Sequence, residues 1–189
     1  MKRQRKKLDP VARRPGRFAD AEAIHTLIAD NLDEGHLLPR HCDELALHAS
    51  RFTVAIHRGR VIGCAELVPL SPTRAELRSL AVDATFRGRG VGSDLVADVL
   101  QRAQAAGADE LCLMTHTPSY FGRLGFSIVP HQAIPEKIAT DCVQCPTFGS
   151  CGQLAMVLPL EAAFERSERA VDTFIHGARR PVLIPVHAA

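Results

Sequence analysis

The sequence has no apolar run that approaches the about 20 residues needed to cross a bilayer. The basic residues near its start are not followed by an apolar segment, so they do not form a signal peptide. These absences predict a cytoplasmic protein without a membrane partner. No internal repeat is visible, and 189 residues suffice for one domain with a full-sized core.

Positive charge is concentrated in one short stretch. MKRQRKKLD carries five basic residues between Lys2 and Lys7 and almost no apolar ones. The formal net charge of the chain is +2, and without these five charges it becomes −3. Residues 1–10 are therefore expected to form a flexible, solvated tail rather than a nucleic-acid arm. The remainder is not a basic platform, so no nucleic-acid partner is expected.

The six cysteines do not indicate a disulfide framework. Cys42, Cys64 and Cys112 are dispersed in apolar contexts, which is typical of buried thiols in a reducing compartment. Cys142, Cys145 and Cys151 are grouped in DCVQCPTFGSC. Their spacing is compatible with reduced structural thiols, with a zinc site completed by Asp141 or His131, or with a regulatory disulfide. The spacing does not decide among these three, and no metal is assigned.

Apolar periodicity predicts an α/β domain with a mixed sheet. The predicted elements are a helix after Asp20, a short helix after Pro39, a hairpin turning at Arg58–Gly59, a strand over 75–82, a helix over 91–107, a strand over 110–115, a short helix over 118–126 and a strand over 152–159. A further helix is expected within 161–189, a C-terminal extension that packs back on the domain or forms a homodimer. The domain itself is assigned to residues 11–160.

The stretch LAVDATFRGRGVG, residues 80–92, contains the pattern R-x-x-G-x-G between a predicted strand and a predicted helix. Glycines let the backbone approach a ligand, and N–H groups at a helix start attract anions. A pyrophosphate fits such a turn. The spacing is neither the dinucleotide G-x-G-x-x-G nor a P-loop, since no lysine follows. Taken alone, the stretch is also compatible with an ordinary strand-to-helix turn.

ELRSLAVDATFRGRGVGSDLV, followed by YFGRLGF, resembles the GNAT superfamily of acetyl-CoA-dependent N-acetyltransferases over residues 11–160. The resemblance implies that acetyl-CoA is the co-substrate. It also implies that backbone amides of the loop hold the pyrophosphate, whereas the preceding strand pairs with the pantetheine arm. The implied cofactor residues are Leu80, Ala81, Val82, Arg87, Gly88, Arg89, Gly90, Val91 and Gly92.

GHLLPR, VIGCAEL and IPEKIATDCVQCPTFGSCGQLAMVL look like the short bacterial amino-acid N-acetyltransferases of the N-acetylglutamate synthase type. Those enzymes acetylate the α-amino group of glutamate at the start of arginine biosynthesis. Such an acceptor needs fixed cations for its carboxylates. Arg40 matches a carboxylate-binding position of the synthases, and Arg78 and Lys137 are further candidates. Each of the three is alternatively a surface or ion-pair residue.

The acceptor ammonium must lose a proton before it attacks, so a base is required. Glu76 matches the catalytic glutamate of some relatives, although a strand-end salt bridge would explain it too. Glu66, between two apolar runs, is the competing base. Backbone N–H near Val82 is assigned to the developing oxyanion. Thr115 matches a hydroxyl position that stabilises the leaving thiolate, or it only caps its strand.

The usual GNAT tyrosine is displaced by one position here. Phe121 occupies its place and Tyr120 precedes it, which makes a tyrosine general acid doubtful. Direct protonation of the thiolate by water is the alternative.

The sequence is also compatible with two other functions. One is a non-catalytic GNAT module that senses acyl-CoA, and the other is acetylation of protein N-termini, polyamines or aminoglycosides. Paired arginines in the acceptor pocket would oppose cationic acceptors.

Overall fold

A seven-stranded sheet forms the centre of the protein, whose computed structural model describes residues 10–34 and 37–161. The strands are β1 (Ala12–Pro15), β2 (Phe52–His57), β3 (Arg60–Pro69), β4 (Arg74–Val82), β5 (Glu110–Thr115), β6 (Ser127–Val129) and β7 (Leu154–Pro159). Their order is β1-β2-β3-β4-β5-β7-β6. The β4–β5 pair is parallel and the other pairs are antiparallel. The predicted mixed, mostly antiparallel α/β fold is confirmed.

Helices cover both faces of this sheet. They are α1 (Ala21–Ala29), α2 (Cys42–Leu47), α3 (Val91–Ala105), α4 (Pro118–Gly122) and α5 (Pro135–Thr140). Side chains alternate between the two faces along β2. Phe52 and Val54 pack in a core with α1, whereas Ala55 packs in a core with α3. Successive side chains of a strand point to opposite faces, so each strand serves two cores.

Three elements were not predicted from the sequence: β1, β6 and α5. The two strands have four and three residues and mostly exposed side chains, so they lack the alternation that identifies a strand. The six residues of α5 include no buried residue and so show no apolar stripe. The predicted C-terminal helix lies outside the described residues.

Asp20 precedes α1 as predicted, but its carboxylate does not cap that helix. It accepts hydrogen bonds from Arg14 Nη1 at 2.6 Å, Arg14 Nη2 at 2.8 Å and the Arg17 N–H at 2.7 Å. Asp20 therefore ties β1 to the turn before α1 and helps to hold the short edge strand.

The cysteine predictions are confirmed for two of the three dispersed thiols. Cys64 and Cys112 are buried, whereas Cys42 is only half-buried, which corrects the prediction for that residue. Burial raises the pKa of both Cys64 and Cys112 to about 12. These two thiols are therefore protonated at neutral pH and are not nucleophiles.

The sheet opens where β4 and β5 separate. They pair only at Arg74–Glu110, Ala75–Leu111 and Glu76–Cys112, although both strands continue beyond these positions. On its other edge, β4 carries an irregularity opposite Cys64–Glu66, and Ser79 has a φ of +52°. A bulge bends a strand and redirects its side chains. The end of β4 is therefore free to face a ligand rather than β5.

Candidate functional site

A cleft of about 1450 Å³ lies at the separation of β4 and β5. One part is lined by the end of β4 and by the stretch from Arg87 to Ser93, which we call the anion loop. The other part is lined by Arg40, Glu76, Arg78 and Lys137. The cleft thus joins a candidate cofactor half to a candidate acceptor half.

The anion loop places helix-start amides toward the cleft. Gly90 precedes α3 with a φ of +93°, a left-handed conformation that glycine adopts without strain. The first N–H groups of a helix have no intrahelical acceptor, so those at the start of α3 are available to an anion. A Cβ at Gly92 would lie 2.9 Å from Tyr120 Oη, so any side chain there requires Tyr120 to move. The loop has the geometry of a pyrophosphate cradle.

Six of the nine predicted cofactor residues line the cleft. They are Leu80, Val82, Arg87, Gly88, Gly90 and Gly92. Ala81 and Val91 are buried in the two cores, and the Arg89 guanidinium stacks over the Phe86 ring at 5.6 Å. These three residues are not among those that line the cleft, so any cofactor role of theirs is expected to be a backbone role.

Arg87 fastens the anion loop to the rest of the domain. Its Nε donates to the Val82 carbonyl at 3.0 Å, and its Nη2 donates to Asn31 Oδ1. Asn31 in turn donates to the Leu27 carbonyl at 2.7 Å, near the end of α1. Sequence reasoning missed Asn31, because its distance of 56 positions from Arg87 leaves no local signal.

A buried carboxylate and two cations meet in the acceptor half. Glu76 is 2% exposed, and its Oε1 lies 2.8 Å from Lys137 Nζ. Lys137 Nζ also donates to Asp141 Oδ2 at 2.7 Å, and Arg78 Nη1 donates to the same oxygen at 2.8 Å. The structure therefore brings together Glu76, Arg78 and Lys137, which the sequence had singled out separately.

Burial raises the pKa of Glu76, because the charged carboxylate loses its water, whereas Lys137 and Arg78 act in the opposite direction. Burial also favours neutral Lys137, but the Glu76 and Asp141 carboxylates outweigh this effect and raise the pKa of Lys137. Glu76 thus combines access to the cleft with an increased proton affinity, as a general base requires.

The third predicted cation, Arg40, belongs to an adjoining network. Its Nε and Nη2 donate to the two oxygens of Glu44 at 2.9 and 2.6 Å. Its Nη1 donates to Glu66 Oε2 at 2.9 Å and to Ser79 Oγ at 2.8 Å. The planar fork of Arg40 is therefore already occupied by a carboxylate. The competing base, Glu66, is fully buried behind Arg40 and is not among the residues that line the cleft.

Two hydroxyl groups lie near the end of β5 and the start of α3. Thr115 Oγ1 accepts the Thr117 N–H at 2.9 Å and lies 3.2 Å from Thr117 Oγ1, so it caps its strand while lining the cleft. Tyr120 Oη lies 3.4 Å from Ser93 Oγ, at the first turn of α3. Despite its displaced position in the sequence, Tyr120 thus places a hydroxyl beside the anion loop.

Cys142, Cys145 and Cys151 also line the cleft, and all three are free thiols. Within residues 10–34 and 37–161, no three His, Cys, Asp or Glu side chains are grouped as metal ligands. Hydrogen bonding with Thr147 lowers the pKa of Cys145, whereas burial raises that of Cys142. In the same described ranges, no helix has the length and apolar character needed to span a membrane.

Comparisons with known proteins identify relatives that are named as acetyltransferases. A relative from Chlorobaculum tepidum, an uncharacterized N-acetyltransferase, is 35% identical over 147 residues, which cover 78% of this chain and 95% of the relative. An amino-acid acetyltransferase of Mycobacterium tuberculosis is 32% identical over 132 residues, which cover 68% of this chain and 75% of the relative.

A solved structure shares the fold. It is the N-acetylglutamate synthase of Neisseria gonorrhoeae complexed with coenzyme A and N-acetyl-glutamate, which matches with a TM-score of 0.73 at 26% identity. The match covers 82% of this chain but 36% of the synthase, so the chain spans about a third of that protein's length.

The family model of the GNAT acetyltransferases matches residues 20–126, from the residue before α1 to the residue after Gly125. The matched segment contains the separation of β4 and β5, the anion loop and α3. It covers more than half of the 189 residues, and the predicted family is confirmed. The chain belongs to the acetyltransferase (GNAT) family.

Proposed function

We propose that this protein transfers the acetyl group of acetyl-CoA to the α-amino group of a free amino acid. L-Glutamate is the first candidate acceptor, and the product would be N-acetylglutamate, the first intermediate of arginine biosynthesis. The observation that carries the proposal is the meeting of a buried carboxylate, Glu76, with Lys137 and Arg78 in the same cleft as the anion loop. The named amino-acid acetyltransferase relative supports the choice of acceptor class.

Acetyl-CoA fits the cofactor half. The amides at the start of α3 would hold its pyrophosphate, and the unpaired edge of β4 from Leu80 to Val82 would hold the pantetheine arm. When bound there, the thioester supplies the acetyl group. The N–H groups near Val82 would face the thioester oxygen as it becomes negative.

Glu76 would act as the base. Its carboxylate would take the proton of the acceptor ammonium, directly or through a water, and so provide a neutral amine. Its raised pKa increases its affinity for that proton, and the charge of Lys137 opposes this rise. For the thiolate, Tyr120 Oη lies in the cleft beside the anion loop and Thr115 Oγ1 is engaged in its cap. Either hydroxyl or a water would stabilise the leaving sulfur.

Arg40, Arg78 and Lys137 would bind the acceptor's carboxylates. Arginine suits this task because its planar fork binds both oxygens of a carboxylate. Glu44 and Asp141 now occupy these donors, and their side chains are 42% and 35% exposed. A ligand carboxylate could take their places while the two residues turn toward water.

Replacing Lys137 by methionine is expected to move the acidic limb of the kcat/KM profile to higher pH. Lys137 lowers the pKa of Glu76, so its loss leaves burial less opposed and the pKa rises further. The base would then be protonated at a higher pH. Lys137→Arg retains the charge and should keep the limb near its original position. A limb that stays in place or moves to lower pH in Lys137→Met would contradict the pairing of Lys137 with the base.

Arg40→Lys should raise the KM for glutamate and for glutamine alike, by about tenfold, because both share the α-carboxylate and lysine lacks the planar fork. The affinity for acetyl-CoA should remain unchanged. Lysine is preferable to alanine as a test, because alanine would leave buried Glu66 without its 2.9 Å partner and so destabilise the fold. Unchanged KM values for both amino acids would remove Arg40 from the acceptor site.

The experiment that tests the proposed function is an acceptor panel at fixed acetyl-CoA, followed as free-thiol release. The panel contains glutamate, glutamine, aspartate, a polyamine, an aminoglycoside and an N-terminal peptide. Turnover with amino acids supports the proposal. A cationic amine is the second candidate, because half-exposed Glu44 and Asp141 would attract it, and turnover with the polyamine alone would establish it. Binding of acetyl-CoA without turnover on any acceptor would instead indicate a sensor.

A further inference from the structure

Asp141 occupies the position that an acceptor's side-chain carboxylate would need. Its Oδ2 lies 2.8 Å from Arg78 Nη1 and 2.7 Å from Lys137 Nζ, and Lys137 reaches Glu76 as well. One intramolecular carboxylate therefore bridges two of the three cations assigned to the acceptor. Asp141 directly follows α5, and it lines the cleft.

The carboxylates around these cations fall into two classes. Glu66 and Glu76 are completely or nearly completely buried, so neither carboxylate can turn into bulk water. Asp141 is partly exposed, and its backbone lies between α5 and the short turn Cys142–Gln144. Because a displaced Asp141 can be hydrated, it can leave its cations far more easily than Glu66 or Glu76 can.

The net charge of the residues around the acceptor half shows why an acidic acceptor must displace a resident carboxylate. The two joined networks contain three cations (Arg40, Arg78, Lys137) and four carboxylates (Glu44, Glu66, Glu76, Asp141). With all seven groups ionised, the network already carries one excess negative charge. An acidic side chain would add another unless a resident carboxylate left, whereas an amide side chain adds none.

We propose that Asp141 determines acceptor specificity, by competing with the side-chain carboxylate of the amino acid for Arg78 and Lys137. This inference rests on the proposed function. Asp141 reduces the advantage that an acidic acceptor has over its amide, because only an acidic side chain must expel it. An amide can accept a hydrogen bond at the edge of the network while Asp141 stays in place.

The test compares glutamate with glutamine in Asp141→Asn. At saturating acetyl-CoA, KM for glutamate should fall by about tenfold, the scale expected when one competing charged hydrogen bond is removed. KM for glutamine should change by less than about twofold on the same reasoning. The ratio of kcat/KM values between the two acceptors cancels any effect they share, including the loss of a negative charge near Glu76.

Two further variants complete the experiment. Asp141→Ser also removes the charge and should shift the ratio in the same direction, so the test does not depend on the folding of a single variant. Glu136→Gln removes a carboxylate from α5, the helix that precedes Asp141. Glu136 pairs with Arg74 outside the cleft, so the ratio for this variant should equal that of the wild type.

An unchanged glutamate-to-glutamine ratio in both Asp141 variants would overturn the inference while leaving the proposed function intact. Equal losses for both acceptors would also overturn it, since they would assign Asp141 to the shared ammonium or to the fold. Absence of thiol release with either amino acid, in wild type and variants alike, would contradict the proposed function itself.

Discussion

Glu76→Gln is expected to lower kcat by about 10²–10⁴-fold, the range typical of a lost general base. Glutamine keeps the shape of the side chain but cannot accept the acceptor's proton. The affinity for acetyl-CoA should be preserved, because the anion loop lies in the other half of the cleft. Steady-state kinetics with the best acceptor, together with calorimetric titration of acetyl-CoA, measure the two effects separately.

Glu110→Gln is the matched control. Glu110 lies on β5 and pairs with Arg74 at 2.8 Å, outside the residues that line the cleft, so its loss should leave kcat close to that of the wild type. Glu66→Gln tests the competing base. A large loss of kcat in Glu66→Gln with none in Glu76→Gln would transfer the role to Glu66, despite its position behind Arg40.

Gly90→Asp should abolish detectable acetyl-CoA binding in a folded protein. The new carboxylate would lie at the start of α3, where the pyrophosphate is expected. The two negative groups would repel each other. Because Gly90 has a φ of +93°, any other residue also strains the loop. Gly92→Glu should have the same effect, since it also places a carboxylate in the anion loop, and its Cβ would displace Tyr120 Oη, 2.9 Å away. Calorimetric titration with acetyl-CoA measures the loss.

Gly107→Asp separates strain from repulsion. Gly107 has a φ of +80° with no atom near its virtual Cβ, and it lies beyond the other end of α3. The backbone cost should be similar, roughly 1–2 kcal/mol of unfolding free energy. Acetyl-CoA should still bind to Gly107→Asp. If Gly90→Asp retained wild-type affinity while folded, the anion loop would not be the pyrophosphate site.

The elements that could be predicted from the sequence are those whose apolar positions repeat regularly along the element, or whose end is marked by a glycine. The fifteen residues of α3 repeat their apolar positions every three or four residues, and all six residues of β5 were assigned correctly. The edge strands β1 and β6 were missed, because their pairing comes from neighbouring strands rather than from their own alternation. Local patterns do not encode such tertiary pairing.

The candidate site was likewise predictable only where its residues carry a local signal or resemble those of relatives. The anion loop was identifiable because its residues are contiguous. Arg40 and Glu76 were singled out from resemblance to relatives, and Arg78 and Lys137 because the acceptor's carboxylates need fixed cations. Two of their ion-pair partners, Glu44 and Asp141, were not predicted in that role. Asp141 meets Arg78 only when folding brings the end of α5 to β4, whereas Glu44 lies four positions from Arg40 and was not recognised as its partner. Ion pairs across 63 positions, such as that of Arg78 with Asp141, leave no periodic signal in the sequence.

Thiol release from acetyl-CoA with free L-glutamate, compared with release on a dipeptide that begins with glutamate, tests the central claim most directly. Both acceptors offer the same α-amine and side-chain carboxylate, but only the free amino acid has an α-carboxylate beside the amine. The account predicts turnover on free glutamate and at least about a hundredfold lower kcat/KM on the dipeptide, the loss expected when buried cationic donors lack their carboxylate. Equal or greater turnover on the dipeptide, or no thiol release with either acceptor, would contradict it.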